Sequence, residues 1–124
     1  MITQATETGS LLTIGVTCSE GKAHLRLSGR LTIDSSPELR NRLLAQLQEE
    51  PLENLVIDLS EVPYMDLSGV ATLLEALKIA HGRKTGFQLI GLQDRPRYLF
   101  EVTGLLPLFE TCGHISAPSI SKAQ

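Results

Sequence analysis

The chain has 124 residues, 11 Lys and Arg against 14 Asp and Glu, and a formal net charge of -3 at pH 7. That length holds one domain with a core of its own and excludes two ordinary ones. A mildly acidic balance with dispersed basic residues excludes a phosphate-backbone footprint, and 4% aromatic residues without Trp provide no stacking platform for bases.

Residues 1–10 are rich in Thr, Gln and Ser and lack apolar periodicity, so a flexible N-terminal tail is expected ahead of a domain over residues 11–112. Leu12, Ile14 and Val16 then alternate with Thr13, Gly15 and Thr17, and Ala23, Leu25 and Leu27 alternate with His24, Arg26 and Ser28. This period of two predicts two half-exposed strands, joined as a hairpin through Glu20-Gly21. Beyond Gly29-Arg30-Leu31, the residues Ser35, Pro37 and Glu38 carry the chemistry of a helix start: a capping hydroxyl, a pre-set φ and a reciprocal acid. Leu39, Leu43 and Leu47 follow at i, i+4 and i+8, and Pro51 ends the helix near Glu49.

Leu55-Val56-Ile57-Asp58-Leu59 is short, apolar and β-branched, which predicts a strand covered on both faces. Val70, Leu73, Leu74 and Leu77 recur at helical spacing, so a helix turns its apolar stripe back onto that strand. Gly82 to Gly86 returns the chain to a strand at Phe87-Gln88-Leu89-Ile90. Asp94-Arg95-Pro96 then opens a short helix bearing Leu99 and Val102, closed by Gly104. Leu105 to Phe109 fits either a last strand or a seal on the core, and residues 113–124 are expected as a flexible C-terminal tail. A hairpin followed by helix–strand units makes an α/β domain with a mixed sheet, covered mainly through Leu43, Leu47, Leu73 and Leu77.

The chemical lead is the turn Tyr64-Met65-Asp66-Leu67-Ser68-Gly69, which places a carboxylate and a hydroxyl beside a helix N-terminus. From the residues alone, Ser68 reads as a local cap. Asp66 reads either as the helix cap or as a group that positions an incoming hydroxyl for phosphoryl transfer. Asp58, at a strand end, reads as an acceptor for neighbouring loop donors. His24 faces outward on a strand, His81 suits a helix C-terminus and His114 lies near the chain end. Cys112-Gly113-His114 offers two metal ligands where a site needs three or four, so no metal and no cofactor is assigned. Gly86 to Gly91 is neither a Walker loop nor a dinucleotide fingerprint, and no nucleophile elbow occurs. No catalytic residue is therefore assigned, and the chain reads as a non-enzyme. Cys18 and Cys112 are far apart and form no metal-type pair, which fits a reducing, cytoplasmic compartment. The opening residues lack a secretory pattern and no apolar run approaches the roughly 20 residues of a membrane span, so no direct membrane insertion is expected.

Val56-Ile57-Asp58-Leu59-Ser60 followed by Met65-Asp66-Leu67-Ser68-Gly69 resembles the central signature of STAS domains, the family of bacterial anti-sigma-factor antagonists. Gly29-Arg30-Leu31 and Val102-Thr103-Gly104-Leu105 resemble further family stretches, so the likeness runs from Leu11 to Phe109. It implies a STAS-like single domain of α/β class, a mixed β-sheet covered by α-helices. It also implies a function: the unphosphorylated domain binds an anti-sigma factor that is a serine kinase. ATP-dependent phosphorylation of Ser68 switches that binding off, and a serine phosphatase restores it. The nucleotide belongs to the kinase. The implied partner-binding surface is Tyr64, Met65, Asp66, Leu67, Ser68 and Gly69. Two positions depart from the family pattern: Leu67 stands where serine is frequent, and Thr32 where antagonists often carry an acid, with Asp34 two residues on. The alternative within the family is a constitutive assembly module of a stress-signalling scaffold or of a lipid-transport ATPase complex. No nucleic-acid partner is expected, and the exposed hairpin edge is compatible with a monomer or a weak dimer.

Overall fold

The computed structural model describes residues 2–8, 11–49, 52–112 and 114–115. Its first element departs from the tail expected over residues 1–10. Ile2–Thr8 is strand β1, antiparallel to β2 (Leu12–Ser19), with Ile2 opposite Cys18 and Thr8 opposite Leu12. Thr3, Thr6 and Thr8 suit a strand, and the outer edge of β2 offers backbone groups that need partners. A strand recruited by backbone pairing at an edge leaves no apolar alternation to read.

The hairpin forms as expected. β2 pairs antiparallel with β3 (Lys22–Leu31), and Leu12, Ile14, Val16, Ala23, Leu25 and Leu27 are all buried. Its turn has Glu20 at φ 49 and Gly21 at φ 80, the pair of positive φ values that matches the twist of two hairpin strands. Next come α1 (Ser36–Glu49) and β4 (Asn54–Met65), then α2 (Leu67–Gly82) and β5 (Gly86–Ile90). The chain closes through α3 (Asp94–Val102) and α4 (Leu106–Cys112) to a short β6 (His114–Ile115). Among the described residues six strands lie side by side in chain order, antiparallel from β1 to β3 and parallel from β3 to β6.

Strands laid down in chain order by right-handed crossovers receive all their helices on one face. The helices meet there as one layer: α1 touches α2, and Phe100 of α3 meets Phe109 of α4 edge-on at 4.9 Å. The expectation that the central strand is covered on both faces is therefore corrected. Leu55, Ile57 and Leu59 are buried completely, whereas Val56 and Asp58, on the opposite face, are half-buried. A short apolar run does not report how many of its faces are covered. The single core lies between sheet and helices, filled by Leu39, Leu43 and Leu47 of α1 and by Val70, Leu73 and Leu77 of α2.

The segment Leu105 to Phe109 falls within the helical end of the chain, where α4 places Phe109 against Phe87 and Phe100. Pro107 explains the choice: without an N–H it is tolerated in a first helical turn and excluded from a central strand. Gly104 at φ 74 closes α3, its N–H bonding Glu101 O at 3.0 Å while the Leu105 N–H bonds Phe100 O at 3.0 Å. Of the tail expected over residues 113–124, His114–Ile115 is β6, and Gly113 and residues 116–124 lie outside the described residues.

β4 runs past Leu59 to Met65, and its register against β3 slips twice, from Arg26 opposite Asp58 to Ser28 opposite Glu61 and Arg30 opposite Tyr64. Each slip is an extra residue in β4, a bulge that bends and twists the strand. Pro63, which has no N–H to give a ladder, sits in this irregular stretch. The bend carries Tyr64, Met65 and Asp66 to the end of the sheet, beside the turn from β3 into α1.

Candidate functional site

Asp66 stands between β4 and α2 and caps the helix. Its Oδ1 accepts from Ser68 N at 2.9 Å, from Gly69 N at 3.3 Å and from the Ser68 hydroxyl at 2.5 Å. Its Oδ2 accepts from Ile33 N at 3.0 Å, and its own N–H donates to Leu31 O at 3.0 Å. One carboxylate thus fastens the start of α2 to the β3–α1 turn. Of the two readings open for Asp66, the cap is realised. Ser68, which read as a cap from its residue type, instead donates its hydroxyl proton to Asp66.

The second hydroxyl of the site comes from α1. Ser36 Oγ lies 2.9 Å from Ser68 Oγ and 2.7 Å from Thr32 O. Ser35, expected to cap α1 through its side chain, turns the other way: its hydroxyl accepts from Thr32 N at 3.0 Å and donates to Arg30 O at 2.8 Å. The buried pair Ser35 and Ser36 thereby stiffens the turn that carries Ile33, and Thr32 Oγ1 accepts from Asp34 N at 3.3 Å within it.

Partial burial pushes the Asp66 carboxyl up, and the bonds from the Ser68 hydroxyl and the Ile33, Gly69 and Ser68 N–H groups more than offset this, leaving it below the ordinary carboxylate value. A depressed folded-state value contributes stability above the unfolded pKa of about 3.9, and that contribution is lost as pH falls through the folded value. Asp66→Ala is therefore expected to cost about 1–2 kcal/mol near neutral pH, the usual cost of losing a helix cap. In urea titrations at pH 7 and at decreasing pH, the difference between wild type and variant should narrow on the acid side. A difference that is constant down to pH 2 would contradict this role for the ionised carboxylate.

Of the six turn residues, Leu67 is the most open at 59% exposure, while Tyr64, Asp66 and Ser68 are half-buried. Met65 and Gly69 face inward. A Cβ at Gly69 would come within 2.7 Å of Met65 Cγ and 2.8 Å of Leu31 Cγ, so the missing side chain lets α2 start close to the sheet. Ile33, whose N–H Asp66 holds, is 70% exposed. The Arg30 guanidinium lies 4.4 Å from the centre of the Tyr64 ring and that of Arg95 lies 5.7 Å away. An open groove of about 460 Å³ separates Tyr64, Met65, Asp66 and Leu67 from Asp94, Arg95, Tyr98 and Leu99 of α3.

Sequence reasoning missed Ser36, Ile33, Arg95 and Tyr98. All four lie outside the Tyr64 to Gly69 stretch, so its local pattern carried no sign of them. Asp58 plays the structural part expected, its Oδ1 accepting from Ser60 N at 2.9 Å. His24 and His81 are exposed, and the side chains of Cys112 and His114 lie outside the described residues. Among the described residues no group of three His, Cys, Asp or Glu side chains is placed to hold a metal ion, and no helix is long and apolar enough to cross a membrane.

A sequentially ordered mixed sheet with helices on one face, and with its polar cluster gathered where β3 and β4 hand over to helices, defines a small α/β domain built around a hydroxyl–carboxylate turn. The family model described as "Mlab, STAS domain" matches residues 14–109, and the chain belongs to the STAS domain family. It is 34% identical over 84 residues to an anti-sigma-B factor antagonist of Listeria monocytogenes, covering 68% of this chain and 73% of that protein. Its fold is similar to the crystal structure of an anti-sigma factor antagonist from Mycobacterium paratuberculosis, with TM-score 0.74, 24% identity and 92% of each chain covered. It is also similar to the Bacillus cell fate determinant SpoIIAA in its phosphorylated form, with TM-score 0.65, 16% identity, 84% of this chain and 91% of that chain covered.

Proposed function

We propose that this chain is an anti-sigma-factor antagonist that works by partner switching, with Ser68 as the switch. The unphosphorylated domain binds an anti-sigma factor that is also a serine kinase, and so frees a sigma factor. The observation that carries this reading is the Ser68 hydroxyl, 2.5 Å from the Asp66 carboxylate and directly beside the exposed Leu67. The curated relative of 34% identity carries the antagonist name, and the solved relative in a phosphorylated form has the same fold.

In the transfer step Ser68 Oγ attacks the γ-phosphorus of ATP held by the kinase. The Oγ–P bond forms as the bond to the departing ADP breaks, and the hydroxyl proton leaves along its existing hydrogen bond to Asp66 and on to solvent. Asp66, being a weak base, orients the hydroxyl more than it drives proton removal. A serine phosphatase reverses the change by directing water onto the same phosphorus. The nucleotide belongs to the kinase, no cofactor is assigned to this chain, and the exchange takes place in the cytoplasm.

The phosphate adds about -1.5 to -2 charges at pH 7. The α2 dipole offsets part of that, typically about 0.3–1 kcal/mol at an exposed helix start, although the Ser68 and Gly69 N–H groups are already engaged by Asp66. The fold therefore survives, and the effect falls on the interface, where a new dianion is desolvated. Leu67 and Ile33, both adjoining Asp66, provide the apolar anchors of that interface. Leu67→Glu is expected to weaken kinase binding about tenfold or more, by isothermal titration calorimetry, with an unchanged melting temperature. Unchanged affinity would remove this face from the interface.

A further inference from the structure

The contact between Ser36 and Ser68 joins the starts of two helices, with the two hydroxyl oxygens 2.9 Å apart. An ionised Asp66 has no proton to give, so the Ser68 hydroxyl donates to it. Ser68 Oγ then offers only its lone pairs to Ser36 Oγ. The Ser36 hydroxyl donates to Thr32 O at 2.7 Å, an oxygen that also takes the Ser36 N–H at 2.7 Å and the Ser35 N–H at 3.0 Å. Shared among three donors, the neutral carbonyl holds the Ser36 proton less firmly than an anion would, and the hydroxyl can turn to an anionic acceptor at Ser68. In the unmodified chain Ser68 thus donates to Asp66 and Ser36 to Thr32 O.

A phosphoryl group on Ser68 takes the place of its hydroxyl proton and sets a dianion against Asp66. The Ser68 and Gly69 N–H groups point at Asp66 Oδ1 and are committed to it. The Ser36 hydroxyl, 6% exposed and held at the first turn of α1, lies 2.9 Å from the oxygen that is phosphorylated, within reach as a neutral donor once it turns from Thr32 O. Resting on the reading of Ser68 as the modified residue, we propose that Ser36 is a positioning residue for the switch: its hydroxyl donates to the phosphoryl group of phosphorylated Ser68 and fixes that group between the starts of α1 and α2. The geometry of the phosphate presented to partners is then set from α1 as well as from α2.

The test installs phosphoserine at position 68 during translation in the full chain, and follows its ³¹P resonance against pH in otherwise wild-type protein, Ser36→Ala and Ser36→Thr. The charged groups on the surrounding elements are Asp66, Asp34 and Glu38 at the helix starts, Arg30 at the end of β3, the Arg40–Glu75 pair between α1 and α2, and Asp94 and Arg95 on α3. All are common to the three proteins. A donor to the dianion lowers the second phosphate pKa, so losing it raises the midpoint. Ser36→Ala should shift the titration upward by about 0.5 pH unit or more, and Ser36→Thr, which keeps the hydroxyl, should restore it. Equal midpoints in all three folded proteins would overturn the proposal. So would an upward shift that threonine fails to reverse, because that marks repacking of the α1 start. Since the phosphate is placed at translation, this result stands apart from whether a kinase uses Ser68, which is read by incubating the unmodified chain with kinase and ATP.

Discussion

Ser68→Asp is expected to lower affinity for the anti-sigma kinase by at least about 30-fold, the scale of an uncompensated charge at a desolvated interface. On the proposed function, the loss arises where Ser68 meets the kinase. Ser68 is half-buried and its hydroxyl sits 2.5 Å from Asp66 Oδ1, so a carboxylate at position 68 is repelled by Asp66 and favoured on the solvent side. The α2 dipole moderates the cost within the domain, so circular dichroism and urea midpoint should change little. Ser68→Ala removes a donor without adding charge, and it should retain kinase binding within a few-fold while losing all phosphorylation. Retained affinity in the aspartate variant would contradict a switch operated by charge at this residue.

Gly29→Ala should be the most damaging single methyl group that can be added near the site, costing about 3 kcal/mol or more through left-handed strain and overpacking together. Gly29 lies opposite Leu12 in the β2–β3 ladder with φ 119, a conformation that L side chains rarely adopt. A Cβ there would come within 2.2 Å of Leu11 O, the same oxygen that accepts the Arg30 N–H at 2.7 Å. Because the obstacle is backbone, relief means moving the end of β3, and with it Leu31 O, which receives the Asp66 N–H. Gly82, at the last turn of α2, supplies the control: nothing lies within 4 Å of its Cβ position, and Gly82→Ala should be neutral or stabilising by up to about 1 kcal/mol. Similar urea midpoints for the two variants would contradict the account of Gly29.

The elements with strong periodicity were legible. Leu39, Leu43 and Leu47 mark α1, Val70, Leu73 and Leu77 mark α2, and all six are buried where the spacing placed them. Edge pairing was not legible: β1 is held by backbone partners on β2, which leave no trace in side-chain pattern. The bulged end of β4 was hidden for a related reason, since Pro63 and the two register slips break the period of two just where the strand approaches the site. At the site, the local sequence exposed the carboxylate, the hydroxyl and the glycine because they sit within one turn. Ser36, Ile33 and Tyr98 reach it from other elements, and contacts across such sequence distances have no local signature. Ser36 was also masked by its neighbour Ser35, whose residue type announced a cap that its hydroxyl does not make.

The most direct measurement is mass-spectrometric mapping of phosphate after the purified chain is incubated with ATP and extract from its own source cells, with Ser68→Ala in parallel. One ATP-dependent phosphate on Ser68, absent from the variant, is the result predicted. An extract that phosphorylates its other substrates yet leaves Ser68 unmodified would contradict the switch and point to a constitutive assembly module of the same fold.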